Sequence, residues 1–414
     1  MPGKGLLADV RVIESSMLGP AELGGLLADL GADVIKVEPP QGDYGRQMTW
    51  PIVKLSDGTG DASLLSLHIN RGKRSIAIDL RTQGGVSVYL DLVRGADVVI
   101  EAMRPGALAR RGLSYERLRE VNPRIVFCTL SGYGATGPYR DMPSHGIAYD
   151  TWAGQVPVLT DERGFTYMGE HTSIGIHAGP LYAALAILAG VIRARSTGEG
   201  CFLDVAQSDA AAYFDWYRIE SWRAYERPVE EVYGNAADNY ERRAPGTAGM
   251  REGVRYQVYA TADGHILFMA SEREFWRNFC EGVGRMDLFE RWPGSPYADH
   301  ARNNTELQAI LTEIFRSKTS AEWVGFGKRH NTPIAPVNTP RTIAEDPQFR
   351  HRLPWIPKER LEADMLPFPV KVTGAELPVP TRAPATGEDT DELLRELGYD
   401  DAAIASLRES GAVV

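Results

Sequence analysis

Short β-branched runs alternate with helical, apolar-periodic stretches over the first 130 residues. The strand-like runs cover residues 10–13, 34–37, 75–78, 98–100 and 125–130, and helical patterns cover residues 20–30, 84–93 and 115–121. Strands separated by crossovers of this length predict a parallel sheet covered by helices. The predicted fold class is therefore α/β, with a Rossmann-like large domain.

Residues 179–195 have the pattern of one long helix, which residues 197–200 (TGEG) close. The uncharged stretch at its centre, residues 178–192, is shorter than the roughly 20 residues needed to span a bilayer. The pattern therefore predicts a buried helix and no membrane partner. The residues that fall on one face are Leu181, Ala184, Leu185, Leu188 and Val191.

The chain changes character after residue 225. Residues 226–248 are rich in charged and amide side chains and predict an exposed connector. Two strand-like runs, 254–260 and 265–269, then flank Ala-Asp-Gly and predict a hairpin. We predict a small α+β domain over residues 226–332. The extended segment that follows predicts a return to the large domain, which would comprise residues 1–225 and 333–414.

Composition and charge narrow the function classes. A length of 414 residues predicts two or three domains. The formal net charge of −10 gives no broad basic surface for nucleic acid. Cys128, Cys201 and Cys280 stand alone, which predicts neither a disulfide framework nor a zinc site. The start of the sequence has no signal-peptide pattern, which predicts a cytoplasmic protein. We also predict no metal site.

A glycine motif, GYGATG at residues 132–137, follows a predicted strand. A dinucleotide site would need a helix to begin at its third glycine, because the helix amides hold the pyrophosphate. Pro138 and further turn residues follow instead. We therefore predict a glycine loop that passes close to a ligand or to another backbone segment, and no nicotinamide site.

Cations cluster near the predicted strand ends. Arg71, Lys73 and Arg74 precede one strand, Arg104 follows another, and Lys36 ends a third. The carboxyl ends of parallel strands are where α/β folds bind ligands. These side chains predict a local anion pocket in an otherwise acidic protein.

Several segments together resemble one family, the class III CoA-transferases, which also include the 2-methylacyl-CoA racemases. The resemblance extends in order over nearly the whole chain. The segments are DVIKVEPP (33–40), NRGKRSIAIDL (70–80), RPG (104–106), SGYG (131–134), GPY (137–139), TGEG (197–200), PIAPVNTP (333–340) and DPQ (346–348).

The resemblance implies an interlocked homodimer of chains that each have a large Rossmann-like and a small domain. It implies coenzyme A and acyl-CoA as substrates, a carboxylic acid as the second substrate, and no permanently bound cofactor. It places CoA near the cationic segments and the glycine loop. The residues implied in CoA binding are Lys36, Arg71, Lys73, Arg74, Arg104 and Gly134.

A CoA-transferase needs a carboxylate that attacks the acyl-CoA thioester, giving first an anhydride and then an enzyme-bound thioester. The resemblance implies an aspartate after a glycine, shortly before the long helix. No aspartate lies between Asp161 and Asp204, and the nearest match is Glu170 in MGEHT. We therefore predict Glu170 as the nucleophile of an acyl-CoA:carboxylate CoA-transferase.

Two alternatives stay open. A 2-methylacyl-CoA racemase would use His145 as acid/base, with Glu170 or Asp150 as its counterpart and Glu272 as an acid near the thioester. A chain without the family aspartate would instead serve as a non-catalytic CoA-binding subunit of a hetero-oligomer.

Aromatic residues around the long helix predict packing rather than chemistry. We expect them to fill the core or to form dimer contacts. They are Trp152, Tyr213, Trp216, Tyr217 and Trp222.

Overall fold

The computed structural model describes residues 5–58, 60–234, 241–242, 250–295 and 298–414. The chain divides into two compact units. The larger unit comprises Met1–Asp215 and Arg350–Val414, and the smaller unit comprises Trp216–Phe349.

The strands, in chain order, are β1 (Arg11–Ser16), β2 (Asp33–Glu38), β3 (Ile52–Lys54), β4 (Asp61–Ser63), β5 (Arg74–Ala77), β6 (Val98–Ala102), β7 (Val126–Ser131), β8 (Val158–Thr160), β9 (Thr166–Met168), β10 (Cys201–Ala206), β11 (Tyr256–Ala260), β12 (His265–Met269) and β13 (Ile334–Pro336).

The helices are α1 (Glu22–Asp29), α2 (Gly45–Met48), α3 (Leu64–Asn70), α4 (Gln83–Arg94), α5 (Tyr115–Val121), α6 (Ile147–Trp152), α7 (Gly175–Thr197), α8 (Gln207–Phe214), α9 (Trp216–Tyr225), α10 (Arg273–Gly282), α11 (Met286–Arg291), α12 (Thr305–Arg316), α13 (Ser320–Arg329), α14 (Pro340–Ile343), α15 (Pro347–Arg352), α16 (Lys358–Leu361), α17 (Thr390–Glu396) and α18 (Asp401–Glu409). Gly19–Ala21 and Ala109–Arg111 form 3₁₀ turns.

The larger unit is built on a six-stranded sheet in the order β10-β7-β6-β1-β2-β5, with every neighbouring pair parallel. This confirms the predicted α/β fold with a parallel sheet. The chain runs from β1 through β2 to β5 and then crosses to β6 on the other side of β1. This reversal opens a crevice at the carboxyl ends of β1 and β6, where ligands bind in such folds.

Both faces of the sheet are buried, which explains why its strands read as continuous apolar runs. Consecutive strand residues point to opposite faces. Ile13 and Val99 pack with α4 and α5, whereas Val12 and Val98 pack with α1 and α7.

Helix α7 is longer than predicted, 23 residues, and its length and apolar composition would suit a membrane span. Its face of small residues is nevertheless buried, as in the core helix of a globular domain. Gly190 is needed there, because a Cβ at this position would lie 2.9 Å from Val126. The predicted apolar face is partly wrong: Leu181 and Leu185 are 51% and 65% exposed.

The smaller unit has the predicted β11–β12 hairpin, extended by β13 in an antiparallel three-stranded sheet. Residues 333–337 therefore do not rejoin the larger unit, because Ile334 pairs with Phe268. The units divide at 215/216 and 349/350, whereas the sequence places the boundaries at 225/226 and 332/333. Of the predicted connector, residues 235–240 and 243–249 lie outside the described residues.

Candidate functional site

Three of the predicted CoA-binding cations are buried in ion pairs. The side chains of Lys36 and Lys73 are fully buried, and that of Arg71 is 3% exposed. Each is paired with a carboxylate from another element, so none is free to meet a phosphate. The prediction that these three residues belong to an anion pocket is therefore wrong for this structure. The pairs are Lys36–Asp43 (3.1 Å), Arg71–Asp29 (2.7 Å) and Lys73–Glu14 (2.6 Å).

The other two predicted cations differ from each other. Arg74 is partly exposed and pairs with Asp33 at 2.8 Å and with Glu396 at 2.6 Å. Arg104 is exposed and lines a cavity at the carboxyl end of β6. Of the five, Arg104 is the one that this structure places at a described cavity.

The first cavity, which we call the acyl cavity, lies at the carboxyl ends of β1, β6 and β7. It has a volume of about 520 Å³. Its walls include Leu18 after β1, Arg104 after β6 and Tyr133 after β7, together with the start of α7 and α8. The structure therefore places this cavity at the crevice that the strand order predicts.

A second cavity, which we call the arginine cavity, lies beside it at the carboxyl ends of β1, β2, β5 and β6. Its volume is about 630 Å³, and Arg81, Arg110 and Arg111 line it. The two cavities share Met17, Met103 and Arg110 in their walls. They therefore adjoin one another along the switch between β1 and β6.

The sequence pattern does not predict Arg110 and Arg111 as site residues. Neither pairs with a carboxylate of a described residue, whereas Arg81 pairs with Asp79 at 2.7 Å. The sequence feature that could have identified them is their position in ALARRG, directly after the RPG segment that follows β6. Two adjacent arginines that no carboxylate of a described residue neutralises are suited to bind phosphate oxygens, although Arg110 also donates to the Pro105 carbonyl at 3.2 Å.

His145 lines the acyl cavity and is exposed. Tyr149, on α6, lines the same cavity, and its hydroxyl lies 3.1 Å from the Ser144 hydroxyl. Burial raises the pKa of Tyr149. The phenol therefore stays protonated near neutral pH and offers a hydrogen bond to an oxygen in this cavity.

Glu170 lies in the segment between β9 and α7, where it is exposed. Its neighbour His171 contacts the Gly169 carbonyl at 3.2 Å and lies 3.7 Å from the Asp150 carboxylate. Asp150 is fully buried and accepts backbone N–H groups at the start of α7, including that of Gly175 at 2.7 Å. The segment that carries Glu170 is thus tied to the first turn of α7.

The structure does not place all three predicted catalytic residues in one cavity. Ile176, six residues after Glu170, lines the acyl cavity, but Glu170 itself does not. Glu272 is an exposed residue at the start of α10 in the smaller unit. Its predicted role stays a prediction.

The glycine loop at 132–137 is followed by turn residues and not by a helix, as the sequence predicts. Gly134 has a φ of +86°, which favours glycine. The next amide, of Ala135, donates to the Asp204 carboxylate at 3.0 Å. The loop therefore lies close to β10, and Gly134 lines a further cavity of about 300 Å³.

The aromatic residues predicted to fill the core or dimer contacts do not fill the core of this chain. Their exposed fractions range from 48% to 70%. A role in dimer contacts stays a prediction. The residues are Trp152, Tyr213, Trp216, Tyr217 and Trp222.

Acid is expected to destabilise the larger unit through His68. Burial, followed by the charge of Arg71, lowers the pKa of His68 to about 4. Between pH 6.5 and 4 the unfolded chain binds a proton that the folded chain does not. The unfolding free energy therefore decreases as the pH is lowered, by at most about 3 kcal/mol. Urea unfolding across this range measures it. His68→Gln should reduce the dependence of the unfolding free energy on pH. An equal reduction in His265→Gln, at an exposed histidine, would refute the assignment to His68.

Comparisons with known proteins agree on one family for this chain. The model of CoA-transferase family III matches residues 7–390. Succinate--glutarate CoA-transferase of Agrobacterium fabrum is 29% identical, over 94% of this chain and 95% of that protein. Succinyl-CoA:(R)-benzylsuccinate CoA-transferase subunit BbsE of Thauera aromatica is 30% identical, over 97% of each.

Among solved structures, a CAIB/BAIF family protein from Brucella suis superposes with a TM-score of 0.76 and 28% identity. It covers 95% of this chain and 100% of its own. CoA-transferases use CoA thioesters as substrates. The family match over most of the chain and the named relatives lead to one conclusion: the chain belongs to CoA-transferase family III and is a class III CoA-transferase.

Proposed function

We propose that the protein moves CoA from an acyl-CoA to a free carboxylic acid, with CoA bound across the arginine and acyl cavities. In the first step the Glu170 carboxylate attacks the thioester carbonyl, and the C–S bond breaks to release CoA thiolate. The thiolate then attacks the glutamyl carbonyl of the anhydride and releases the donor carboxylate. The acceptor carboxylate repeats both steps in reverse.

The two adjoining cavities carry this proposal. CoA has a phosphate-rich nucleotide at one end and a long, uncharged arm that ends in the thiol. The arginine cavity offers Arg110 and Arg111 to phosphates, and the acyl cavity offers Tyr149 to the thioester and is lined by Ile176, six residues after Glu170. Arg104 and Arg140 line the acyl cavity as well, so arginines extend along both cavities toward the phosphates of CoA and the carboxylate of the second substrate.

Accessibility supports Glu170 as the nucleophile. Among the described residues its exposed carboxylate makes no ion pair or hydrogen bond, so no described side chain has to be displaced before it attacks a thioester. Asp150, in contrast, is fully buried and accepts hydrogen bonds from the backbone amides of Ile174 and Gly175 at the start of α7. Glu170 therefore suits a nucleophile, whereas Asp150 suits a structural cap.

Arg110→Gln is expected to weaken CoA binding by about 10- to 100-fold, the value of a charge-assisted hydrogen bond of about 1.5–3 kcal/mol. Calorimetric titration with CoA measures this change, and an assay of CoA transfer from succinyl-CoA to carboxylic acids tests the reaction. Arg117→Gln is the matched control, because Arg117 is exposed and pairs with Glu120. Equal losses in both variants would contradict the assignment.

We also propose that the chain acts as a homodimer, since the five exposed aromatic residues suit an interface. Light scattering on the active fraction tests this. Activity that appears only when a homologous chain is added would favour the alternative of a non-catalytic subunit.

The racemase alternative has one specific observation in its favour, the position of His145 in the wall of the acyl cavity. It predicts solvent deuterium at the substrate α-carbon.

A further inference from the structure

The turn after β1 has a backbone conformation that residues with side chains rarely adopt. Leu18 has φ 58° and ψ −148°, in a region essentially restricted to glycine. Such a conformation persists only where the surrounding structure enforces it. Met17, Leu18 and Gly19 line the acyl cavity, so whatever holds Leu18 also shapes that cavity.

A buried ion pair holds this turn. The Asp43 carboxylate accepts the Leu18 N–H at 3.1 and 3.3 Å and the Gly45 N–H at 2.8 Å. The Lys36 ammonium donates to the same carboxylate at 3.1 Å and to the Ser16 carbonyl at 3.1 Å. The pair therefore fixes the chain immediately before and after Met17.

The Lys36–Asp43 pair is buried, which strengthens its contacts with the turn. The side chains of Lys36 and Asp43 are 0% and 2% exposed, so water does not compete for their contacts. The third close contact of the ammonium is the Ser16 hydroxyl at 3.4 Å, so its three protons have three acceptors. Buried ion pairs add little net stability over apolar residues of similar size. A geometric role accounts better for this one.

The turn is also confined from the other side. A Cβ on Gly19 would lie 2.6 Å from the Ile176 side chain, at the start of α7. The glycine therefore allows a close approach between the turn and the helix. A small displacement of the turn would alter this contact and the width of the acyl cavity.

We propose that Lys36 and Asp43 are positioning residues for the CoA thioester. They hold the turn at residues 17–19 so that the arm of CoA passes from the arginine cavity into the acyl cavity. Met17, which lines both cavities, marks this passage. The inference rests on the proposed function, because it assigns both cavities to CoA.

Asp43→Asn tests this role, with Asp29→Asn as the matched control. Asp29 is also buried and paired, with Arg71, but it does not contact the turn. We expect Asp43→Asn to speed hydrogen exchange of the Leu18 amide and to raise the Kd of CoA, each by at least about tenfold. Asp29→Asn should change each by less than about twofold, even where it lowers stability.

Leu18 supplies a second, sharper test. Glycine adopts this backbone conformation without steric cost, whereas alanine keeps the Cβ. In a Leu18→Gly background, Asp43→Asn should therefore cost less than about threefold in CoA affinity. In a Leu18→Ala background the same change should still cost about tenfold.

Equal losses in the glycine and alanine backgrounds would overturn the proposal, as would equal effects of Asp43→Asn and Asp29→Asn. Wild-type protein that does not bind CoA would overturn it too. Wild-type protein that binds CoA but does not transfer it would refute the proposed function alone, since the affinity ratios would still decide the role of the pair.

Discussion

Replacing Glu170 by glutamine is expected to lower the rate of CoA transfer by at least about 10³-fold, the scale of loss when an enzyme loses its covalent nucleophile. Glutamine keeps the size of the side chain but has no carboxylate to form the anhydride. The affinity for free CoA should stay within about twofold of wild type, because Glu170 acts on the acyl carbonyl, which free CoA lacks. Transfer rates and calorimetry separate the two effects.

Glu162→Gln is the control for this variant. Glu162 is another exposed acid, in the loop between β8 and β9, only eight residues before Glu170. We expect it to retain wild-type transfer rates. Transfer that survives in Glu170→Gln would show that another carboxylate is the nucleophile.

Replacing Lys73 by methionine is expected to lower the unfolding free energy by about 3–5 kcal/mol, because Glu14 would be left buried without its cation. Both side chains of this pair are fully buried, and their charged atoms lie 2.6 Å apart. Burial lowers the pKa of Lys73 to about 8, although the charge of Glu14 opposes this shift. Urea unfolding at pH 7 measures the change.

Arg117→Met provides the comparison for Lys73→Met, since the Arg117–Glu120 pair is exposed. Its loss should stay within about 0.5 kcal/mol. A Lys73→Met protein of unchanged stability but weakened CoA binding would contradict the structural role and restore the binding role that its sequence position suggests.

The parallel sheet could be predicted because it depends on local patterns. Strand and helix periodicities are visible in short windows, and buried strands read as apolar runs. The short strand β13 could not be assigned in this way. Its partner, Phe268 in β12, lies 66 residues earlier than Ile334, and three residues carry no periodicity that names a partner.

The buried face of α7 differs from the predicted face for a related reason. Leucines usually mark a core face, but here small residues allow close approach, as Gly190 does beside Val126. Leu181 and Leu185 are left exposed on the described chain. The composition of a helix does not show which of its faces packs closely against a neighbouring element.

The sequence predicts at which edge of the sheet the cavity lies, but not which cations line it. The rule that ligands bind at the carboxyl ends of parallel strands led to Arg104, which lines the acyl cavity. It also suggested Lys36 and Lys73, whose partners Asp43 and Glu14 lie on other elements. A run of cations does not show which of them a distant carboxylate neutralises.

The most direct test of the central claim, CoA transfer through Glu170, is capture of the enzyme-bound intermediate. Wild-type protein is incubated with succinyl-CoA, treated with hydroxylamine and analysed by peptide mass spectrometry. We predict a hydroxamate on Glu170 that depends on acyl-CoA and is absent from Glu170→Gln. Unmodified Glu170 in protein that transfers CoA, or exchange of the substrate α-proton without transfer, would contradict it.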